Sequence, residues 1–181
     1  MSTTVDIRRS LVGTWELDPV HSSIGFEVPY LSGTFKGQFR DAEGKLVVHD
    51  GKANLDGVAR VASVDVKDEN LSAHLQSPDF FDAERYAELH FRARDIALDG
   101  ETVSASGELT IKGVTRPVEA TGTLTPPLVD GYGRERLGLV LSTTVNRHDF
   151  GVSFEMPLPS GEPAIGDEVA IIAELYFIRG S

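Results

Sequence analysis

Apolar and polar residues alternate with a period of two along most of this 181-residue chain. The clearest run spans residues 102–112, where one face is apolar or small and the other is polar or charged. Because successive side chains of an extended strand point to opposite faces, this run predicts a strand with one dry and one wet face. Similar runs recur along the chain and predict an all-β fold of roughly eight or nine strands.

Short turns join most of the predicted strands. Asp50-Gly51 and Asp99-Gly100 have the composition of tight hairpin turns. A meander of hairpins leaves two unpaired edges unless the sheet closes on itself. We therefore expect an antiparallel up-and-down barrel.

Two stretches rich in proline and glycine, 125–136 and 155–168, are expected to be longer loops. Neither has the composition of a linker between domains. The sequence predicts a single barrel domain over residues 13–179, preceded by an N-terminal extension over residues 1–12.

The stretch 77–91 is unusually rich in aromatic residues. Ser77 and Pro78 are residue types favoured at the N-cap and first position of a helix, which predicts one short helical segment near residues 70–87. The aromatic side chains either form a lid over one end of the barrel or belong to a core that plugs that end. They are Phe80, Phe81, Tyr86 and Phe91.

Several positions predicted to face inward are small. An eight-stranded barrel is just wide enough to be filled by its own side chains or to hold one small ligand, and small inward residues would leave room for a ligand. Alternatively, the glycines only relieve tight barrel corners and strong twist. The positions are Gly37, Ala62, Ala93, Ala105, Gly107, Ala120, Gly122 and Ala173.

The last predicted strand also carries apolar residues on its outward face. Ile172, Tyr176 and Ile178 form this stripe. An exposed apolar stripe of this kind predicts a homodimer interface or a second packed layer.

Composition excludes several classes of function. The formal net charge of −11 disfavours nucleic acid and anionic lipid surfaces as partners. The chain has no cysteine, which excludes disulfides, cysteine-ligated zinc, iron–sulfur clusters and thiol catalysis. The N-terminus has no apolar run typical of a signal peptide, and no segment has about 20 apolar residues, so we expect a cytoplasmic protein without stable membrane insertion.

No established catalytic motif occurs in the sequence. The five histidines lack the spacing typical of metal sites, so neither a metal nor a cofactor is expected. Asp149 beside His148, or Asp18 with His21, could pair as an orienting group and a base. Both segments are more typical of hydrogen-bonded turns, and Arg147 is expected to donate to backbone carbonyls or to a carboxylate.

Six short motifs, in this order and spacing, resemble the YceI-like family of lipocalin-like polyisoprenoid-binding proteins. They are W-x-L-D-P-x-H-S (15–22), I-x-F-x-V (24–28), G-x-F (37–39), H-L-x-S-P-D-F-F-D (74–82), G-x-L-T-I-K-G-V-T-R-P-V (107–118) and N-R-x-D-F-G (146–151). The resemblance implies an eight-stranded antiparallel lipocalin-like barrel with a helical segment near one end. It also implies a lumen that holds a long isoprenoid chain, such as that of a prenyl phosphate or a quinone.

The candidate ligand-binding residues follow from strand parity and from the aromatic segment. The lumen lining is assigned to Phe26, Val28, Phe35, Phe39, Phe80, Phe81, Tyr86, Phe91, Leu109, Ile111 and Phe154. An anionic head group should contact Arg147 or His74. The Arg-Asp pair common in the family is replaced here by Leu71-Ser72, which removes one candidate for binding a charged head.

The sequence therefore predicts a non-enzymatic carrier or storage protein for an isoprenoid or similar lipid. Two other classes of function remain open. One is an enzyme acting on a hydrophobic small molecule in the same cavity, which would require a convergent acid, base and nucleophile. The other is an interaction module with a solid barrel.

Overall fold

The computed structural model describes residues 4–94 and 96–180, with side chains from Ile7 onward. The helices in this part of the chain are α1 (Thr4–Leu11) and α2 (Glu69–Leu75). The strands are β1 (Gly13–Leu17), β2 (Ser23–Tyr30), β3 (Gly33–Phe39), β4 (Ala42–His49), β5 (Lys52–Arg60), β6 (Val64–Asp65), β7 (Glu88–Ala93), β8 (Ala97–Asp99), β9 (Thr102–Ile111), β10 (Val114–Val129), β11 (Glu135–Asn146) and β12 (Glu168–Arg179). Neither described helix is long and apolar enough to cross a membrane.

Eight antiparallel strands close into a barrel in the order β1-β4-β5-β7-β9-β10-β11-β12. Residues 15–17 of β1 pair with residues 177–179 of β12 and close the ring. Toward the other end of the barrel, β2 takes the place of β1 and pairs with residues 170–174 of β12, followed by β3 and β6. The predicted eight-stranded antiparallel barrel is confirmed.

One predicted hairpin turn is confirmed, and one predicted long loop is wrong. Asp50 and Gly51 join β4 to β5 with φ angles of 51° and 75°, as expected for the hairpin. The predicted loop over residues 125–136 is wrong, because β10 and β11 continue through most of it and turn tightly near residues 130–134. The prolines at 126 and 127 fit there because the register shifts between Thr125 and Leu128, which is a bulge that does not need their missing N–H groups.

The N-terminal extension contains a helix that the sequence reasoning missed. Ile7 and Leu11 of α1 are buried in the barrel core, and Trp15 Nε1 donates to the carbonyl oxygen of Leu11 at 2.7 Å. Arg179 donates to the carbonyl oxygens of Ser10 and Val12 at 2.8 and 2.6 Å. These bonds satisfy carbonyls at the end of α1 and fix the helix under one end of the barrel.

The helix between β6 and β7 lies earlier than the Ser77-Pro78 signal indicates. Asp68 is the N-cap of α2 and accepts a hydrogen bond from Leu71 N at 2.9 Å. Ser77 follows the helix, and its hydroxyl donates back to the carbonyl oxygen of His74 at 2.6 Å. A helical segment near residues 70–87 is present, but the N-cap assigned to Ser77 is wrong, because residues 77–86 form successive turns.

The barrel is solid at the α1 end. Trp15 and Phe177 are fully buried there, packed with Leu46, Leu55 and Leu137 in one continuous cluster. Two separate apolar clusters line the other end. The interior of that end is therefore where a cavity can form.

Candidate functional site

An apolar cavity of about 370 Å³ occupies the half of the barrel away from α1. Leu175 and Phe177 contribute to its floor, and side chains from α2 and from residues 80–81 and 150–156 surround its mouth. Its volume lies toward the lower end of the roughly 300–1,000 Å³ typical of small-molecule sites. The cavity removes the solid-barrel alternative for this half of the molecule.

The structure places the predicted lining and head-group residues around this cavity, with one exception. Those at the cavity are Phe26, Val28, Phe35, Phe39, His74, Phe80, Phe81, Phe91, Leu109, Ile111, Arg147 and Phe154. Tyr86 is not among the lining residues and instead packs over Gly113 in the turn between β9 and β10. The sequence predicts Tyr86 at the lumen because it follows Phe80 and Phe81. In the structure the chain has turned toward β7 before it reaches Tyr86.

The small inward residues have less to do with the cavity than the sequence suggests. A Cβ at Gly122 would collide with the backbone of Val140, and one at Gly107 would lie 2.6 Å from the carbonyl oxygen of Arg92. These two glycines therefore allow close approach of neighbouring backbone, a role that differs both from making room for a ligand and from relieving barrel corners. Ala62 is also wrong as an inward position, because it is exposed in a 3-10 turn.

Two other glycines make room in the lumen. Gly44 and Gly57 face each other across β4 and β5 and line the cavity. A Cβ at Gly57 would meet only the carbonyl oxygen of Glu43, at 3.9 Å. Sequence reasoning missed both, although they lie in phase with the inward residues Leu46 and Leu55.

Sequence reasoning also missed part of the apolar wall. The additional lining includes Leu71, Leu75, Leu89, Val145, Phe150, Val152, Met156, Ile165, Val169 and Ile171. Strand parity could have identified Leu89, Val145, Val169 and Ile171, which continue alternating runs. The others lie on α2 or in irregular segments, where a period of two carries no information.

The two adjacent phenylalanines after α2 have different surroundings. Phe81 packs edge-on against Phe39 and Phe26, with ring centroids 5.5 and 6.3 Å away. Phe80 packs against His74 and Phe154, at 5.0 and 5.1 Å. Phe81 thus belongs to the inner wall, whereas Phe80 belongs to a three-ring cluster at the mouth.

A lysine in the turn between β9 and β10 ties the segment that carries these rings to the chain that follows β11. Lys112 Nζ donates to the carbonyl oxygens of Pro78 and Gly151 at 2.8 and 3.2 Å. Residues 76–83 also hydrogen-bond to one another through their backbone. The segment has few backbone bonds to the sheet itself.

Arg147 is the buried cation of the cavity wall, with 5% of its surface exposed. Its Nε donates to the carbonyl oxygen of Gly166 at 2.9 Å, and its Nη1 donates to those of Val152 and Phe154 at 2.9 and 2.8 Å. The predicted role as a donor to backbone carbonyls is confirmed. Its Nη2 is buried without a hydrogen-bond partner among the described residues, and Glu155 Oε1 lies 3.8 Å away.

His148 is paired with partners other than the adjacent aspartate. His148 Nε2 lies 2.8 Å from Asp167 Oδ1 and 3.6 Å from Glu155 Oε1, while Nδ1 lies 3.1 Å from Ser153 Oγ. Asp149 is therefore not its orienting group. The ligand atoms of His148, Glu155 and Asp167 lie within 4.8 Å of one another, a set that could hold a cation and that sequence spacing does not reveal.

Asp18 and His21 do pair, but away from the cavity. Asp18 Oδ2 lies 2.6 Å from His21 Nδ1 and accepts from Arg136 Nη1 at 2.8 Å. Burial alone would raise the pKa of Asp18, but hydrogen bonds from Arg136, His21 and Val20 outweigh it and lower the pKa to about 2. Arg136 also donates to Asp130 and thereby lowers the pKa of that carboxyl. The network joins the β1–β2 turn to the β10–β11 hairpin.

Comparison with known proteins gives a family match over nearly the whole barrel. The YceI-like domain family matches residues 15–177. A UPF0312 protein of Staphylococcus epidermidis is 31% identical over 174 residues, covering 90% of this chain and 96% of the relative. A UPF0312 protein of Photorhabdus laumondii is 29% identical over 148 residues, covering 78% of this chain and 76% of that protein.

Solved structures with low sequence identity share the fold. BcnA of Burkholderia cenocepacia aligns with a TM-score of 0.76 at 21% identity, covering 88% of this chain and 98% of that one. A polyisoprenoid-binding domain from Saccharophagus degradans aligns with a TM-score of 0.72 at 14% identity, covering 92% and 98%.

Proposed function

Because the chain belongs to the YceI-like family, we propose that it binds a long isoprenoid or similar lipid in its barrel lumen, as a carrier or storage protein. The observation that carries the proposal is the apolar cavity of about 370 Å³ in the open half of the barrel. The structural neighbour from Saccharophagus degradans, a polyisoprenoid-binding domain, supports the same ligand class.

Apolar burial supplies the affinity in this proposal. Each Å² of ligand surface removed from water contributes roughly 25 cal/mol. The ring centroid of Phe26 on β2 lies 6.2 and 5.7 Å from those of Phe35 and Phe39 on the neighbouring strand β3, and the three rings offer a continuous surface for an unsaturated chain. The chain would extend from the mouth toward Phe177 at the floor.

Arg147 supports an oxygen-bearing head group at the mouth. Buried polar groups rarely stay without a hydrogen bond, and Arg147 Nη2 makes none among the described residues, its ion-pair partner Glu155 lying 3.8 Å away. A phosphate or quinone oxygen could accept from it, and such a charge-assisted bond is stronger than a neutral one. His74 is the second candidate contact, although its Nε2 already lies 2.9 Å from Asp79 Oδ2.

A carrier fits this lumen better than an enzyme. Nucleophilic catalysis would require a side-chain hydroxyl within hydrogen-bond reach of a base in the cavity. His74 and Asp79 form a pair of the base and orienting type there, but among the described residues no side-chain hydroxyl hydrogen-bonds to the His74 imidazole; the Ser77 hydroxyl donates instead to the His74 backbone carbonyl. Ser153, His148 and Asp167 do combine a hydroxyl, a base and a carboxylate, but none of the three lines the cavity. We therefore propose binding without turnover.

We also propose a homodimer formed through the outer face of β12. Tyr176 is 43% exposed there, between the half-buried Ile172 and Ile178. A charged Tyr176→Lys variant should abolish an interface built on this stripe. Sedimentation velocity is expected to give a dimer for the wild type and a monomer for the variant, and a monomeric wild type would contradict the proposal.

Native mass spectrometry tests the proposed function and identifies the ligand. The purified protein is expected to retain one isoprenoid per barrel, released by organic extraction and identified from its mass. A protein that carries no lipid, and that takes up neither a prenyl phosphate nor a prenyl quinone when offered them, would contradict the proposal.

A further inference from the structure

Three large apolar side chains are exposed around the cavity mouth. Tyr30 and Leu31, at the tip of the β2–β3 hairpin, are 38% and 58% exposed, and Met156, in the segment after Phe154, is 49% exposed. Tyr30 and Met156 also line the cavity. The exposed apolar rim is therefore continuous with the lumen wall.

The rim consists of two segments, residues 28–35 and residues 152–167, and backbone hydrogen bonds join them. Leu31 N donates to the carbonyl oxygen of Ala164 at 2.9 Å, and Gly166 N donates to that of Pro29 at 2.7 Å. Tyr30 also forms a β-bridge with Ile165. Ala164 N in turn donates to the carbonyl oxygen of Met156 at 3.3 Å, so the three exposed side chains belong to one connected rim rather than to independent loops.

Leucine is an unfavourable residue type for the backbone conformation at position 31. It follows Tyr30 in a hairpin of two central residues, with a φ of 52°, where glycine, asparagine or aspartate are strongly preferred. Its side chain is more than half exposed, so packing within the chain does not account for it. An external apolar environment would account for a leucine in this conformation.

The charge of the rim restricts that environment. Segments 28–35 and 152–167 contain three carboxylates, those of Glu155, Glu162 and Asp167, and no lysine or arginine. The whole chain has a net charge of −11. An anionic lipid surface would repel this rim, whereas a surface of zwitterionic lipid would not.

We propose that this rim docks on a zwitterionic lipid bilayer, with Leu31 inserted among the lipids, so that lipid passes between membrane and lumen without crossing water. The proposal rests on the proposed function, because it takes the lumen as a lipid site. An isoprenoid chain leaving the lumen into water would expose its whole apolar surface, and direct contact with a bilayer avoids that step.

The test measures transfer of a fluorescent geranylgeranyl analogue from the protein to phosphatidylcholine vesicles. Transfer through contact becomes faster as vesicle concentration rises, whereas transfer through water does not. Leu31→Asn, which suits the φ of 52°, is expected to lower this concentration dependence about tenfold, the effect of losing roughly one buried leucine. Leu128→Asn is the matched control, because Leu128 is 68% exposed near the opposite end of the barrel.

The outcomes separate the rim from the lumen. Leu31 does not line the cavity, so Leu31→Asn should bind the analogue in solution with unchanged affinity. Transfer that is independent of vesicle concentration, or equal losses in both variants, would overturn the docking proposal and leave the lumen proposal standing. Absence of analogue binding by the wild type would instead contradict the lumen proposal, and flotation of the ligand-free protein with the same vesicles then tests the rim alone.

A change of lipid charge tests whether the acidic rim avoids anionic surfaces. Vesicles containing anionic phosphatidylglycerol are expected to accept the analogue more slowly at low salt.

Sedimentation of the wild type and of Leu31→Asn detects the other occupant of such a rim, a second copy of the chain. A dimer that dissociates only in Leu31→Asn, together with no vesicle binding, would identify the rim as a subunit contact and overturn the proposal.

Discussion

Arg147 joins two segments of the mouth through its guanidinium group. Three of its five N–H groups bond to carbonyls of residues 152, 154 and 166, and the two on Nη2 are buried, with Glu155 Oε1 3.8 Å away. The planar fork of arginine suits this arrangement, because a single lysine ammonium cannot reach three carbonyls from one position. The residue therefore supports the shape of the mouth even when no ligand is bound.

Arg147→Lys is expected to lower the free energy of unfolding by about 2 kcal/mol or more, because buried carbonyls lose their donors. Urea unfolding measures the change. Arg116→Lys is the matched control, because within the described residues the exposed Arg116 side chain makes one hydrogen bond, to the carbonyl oxygen of Asp149, and this variant should cost less than about 0.5 kcal/mol. Equal losses in the two variants would contradict the role assigned to Arg147.

Asp18 predicts a dependence of stability on pH. Its pKa is about 2 in the folded protein, against 3.8 as the reference, so the unfolded chain binds the proton first as pH falls. Its stabilisation is therefore complete above about pH 5 and lost between about pH 4 and pH 2, and it amounts to about 2 kcal/mol at most. Asp18→Asn should be less stable than the wild type at pH 7, and the difference should shrink as pH approaches 2. Urea midpoints across this range measure it, and a difference that stays constant would contradict the account.

At the scale of elements, the turns between α2 and β7 contain both lumen wall and mouth. Phe81 contacts Phe26 and Phe39, which belong to the sheet, whereas Phe80 contacts His74 and Phe154 at the mouth. We therefore expect a lid role for Phe80 and a core role for Phe81.

Phe81→Ala is expected to lower the free energy of unfolding by about 3 kcal/mol, since it removes a ring from a packed cluster. Phe80→Ala should cost about 1 kcal/mol, because mouth segments contribute less to global stability, and should weaken lipid binding more than it weakens the fold. Urea unfolding and titration with a fluorescent prenyl analogue measure both quantities. Unchanged affinity in Phe80→Ala, with a large loss of stability, would make both rings core residues.

Sequence reasoning succeeds for elements with a period of two and fails where tertiary contacts decide. The alternation of residues 102–112 predicts β9, and parity places Phe26, Phe39 and Leu109 at the lumen. The prediction of Ser77 as an N-cap is wrong because serine, a residue type favoured at N-caps, can also hydrogen-bond back to the helix that precedes it. The roles of Gly57 and Gly122 depend on what lies opposite each one across the barrel, which local sequence does not encode.

At the scale of the whole molecule, the barrel divides into a solid half and a hollow half. The solid half has α1, Trp15 and Phe177 in one buried cluster, which anchors the ring of strands. The hollow half retains its cavity because small residues such as Gly57 stand where the other half has large ones such as Leu55. We therefore expect ligand binding to depend on the hollow half, whereas residues of both halves contribute to stability.

Filling the lumen from Gly57 tests the central claim most directly. The added side chain in Gly57→Val should enter the cavity without backbone strain and leave the free energy of unfolding equal or slightly higher, because glycine is lost from the unfolded chain. Thr123→Val, on the exposed outer face of β10, is the matched control. Titration of the delipidated proteins with a fluorescent prenyl analogue should show affinity reduced at least about tenfold in Gly57→Val and unchanged in Thr123→Val. Equal affinity in Gly57→Val and the wild type would contradict lipid binding in the lumen.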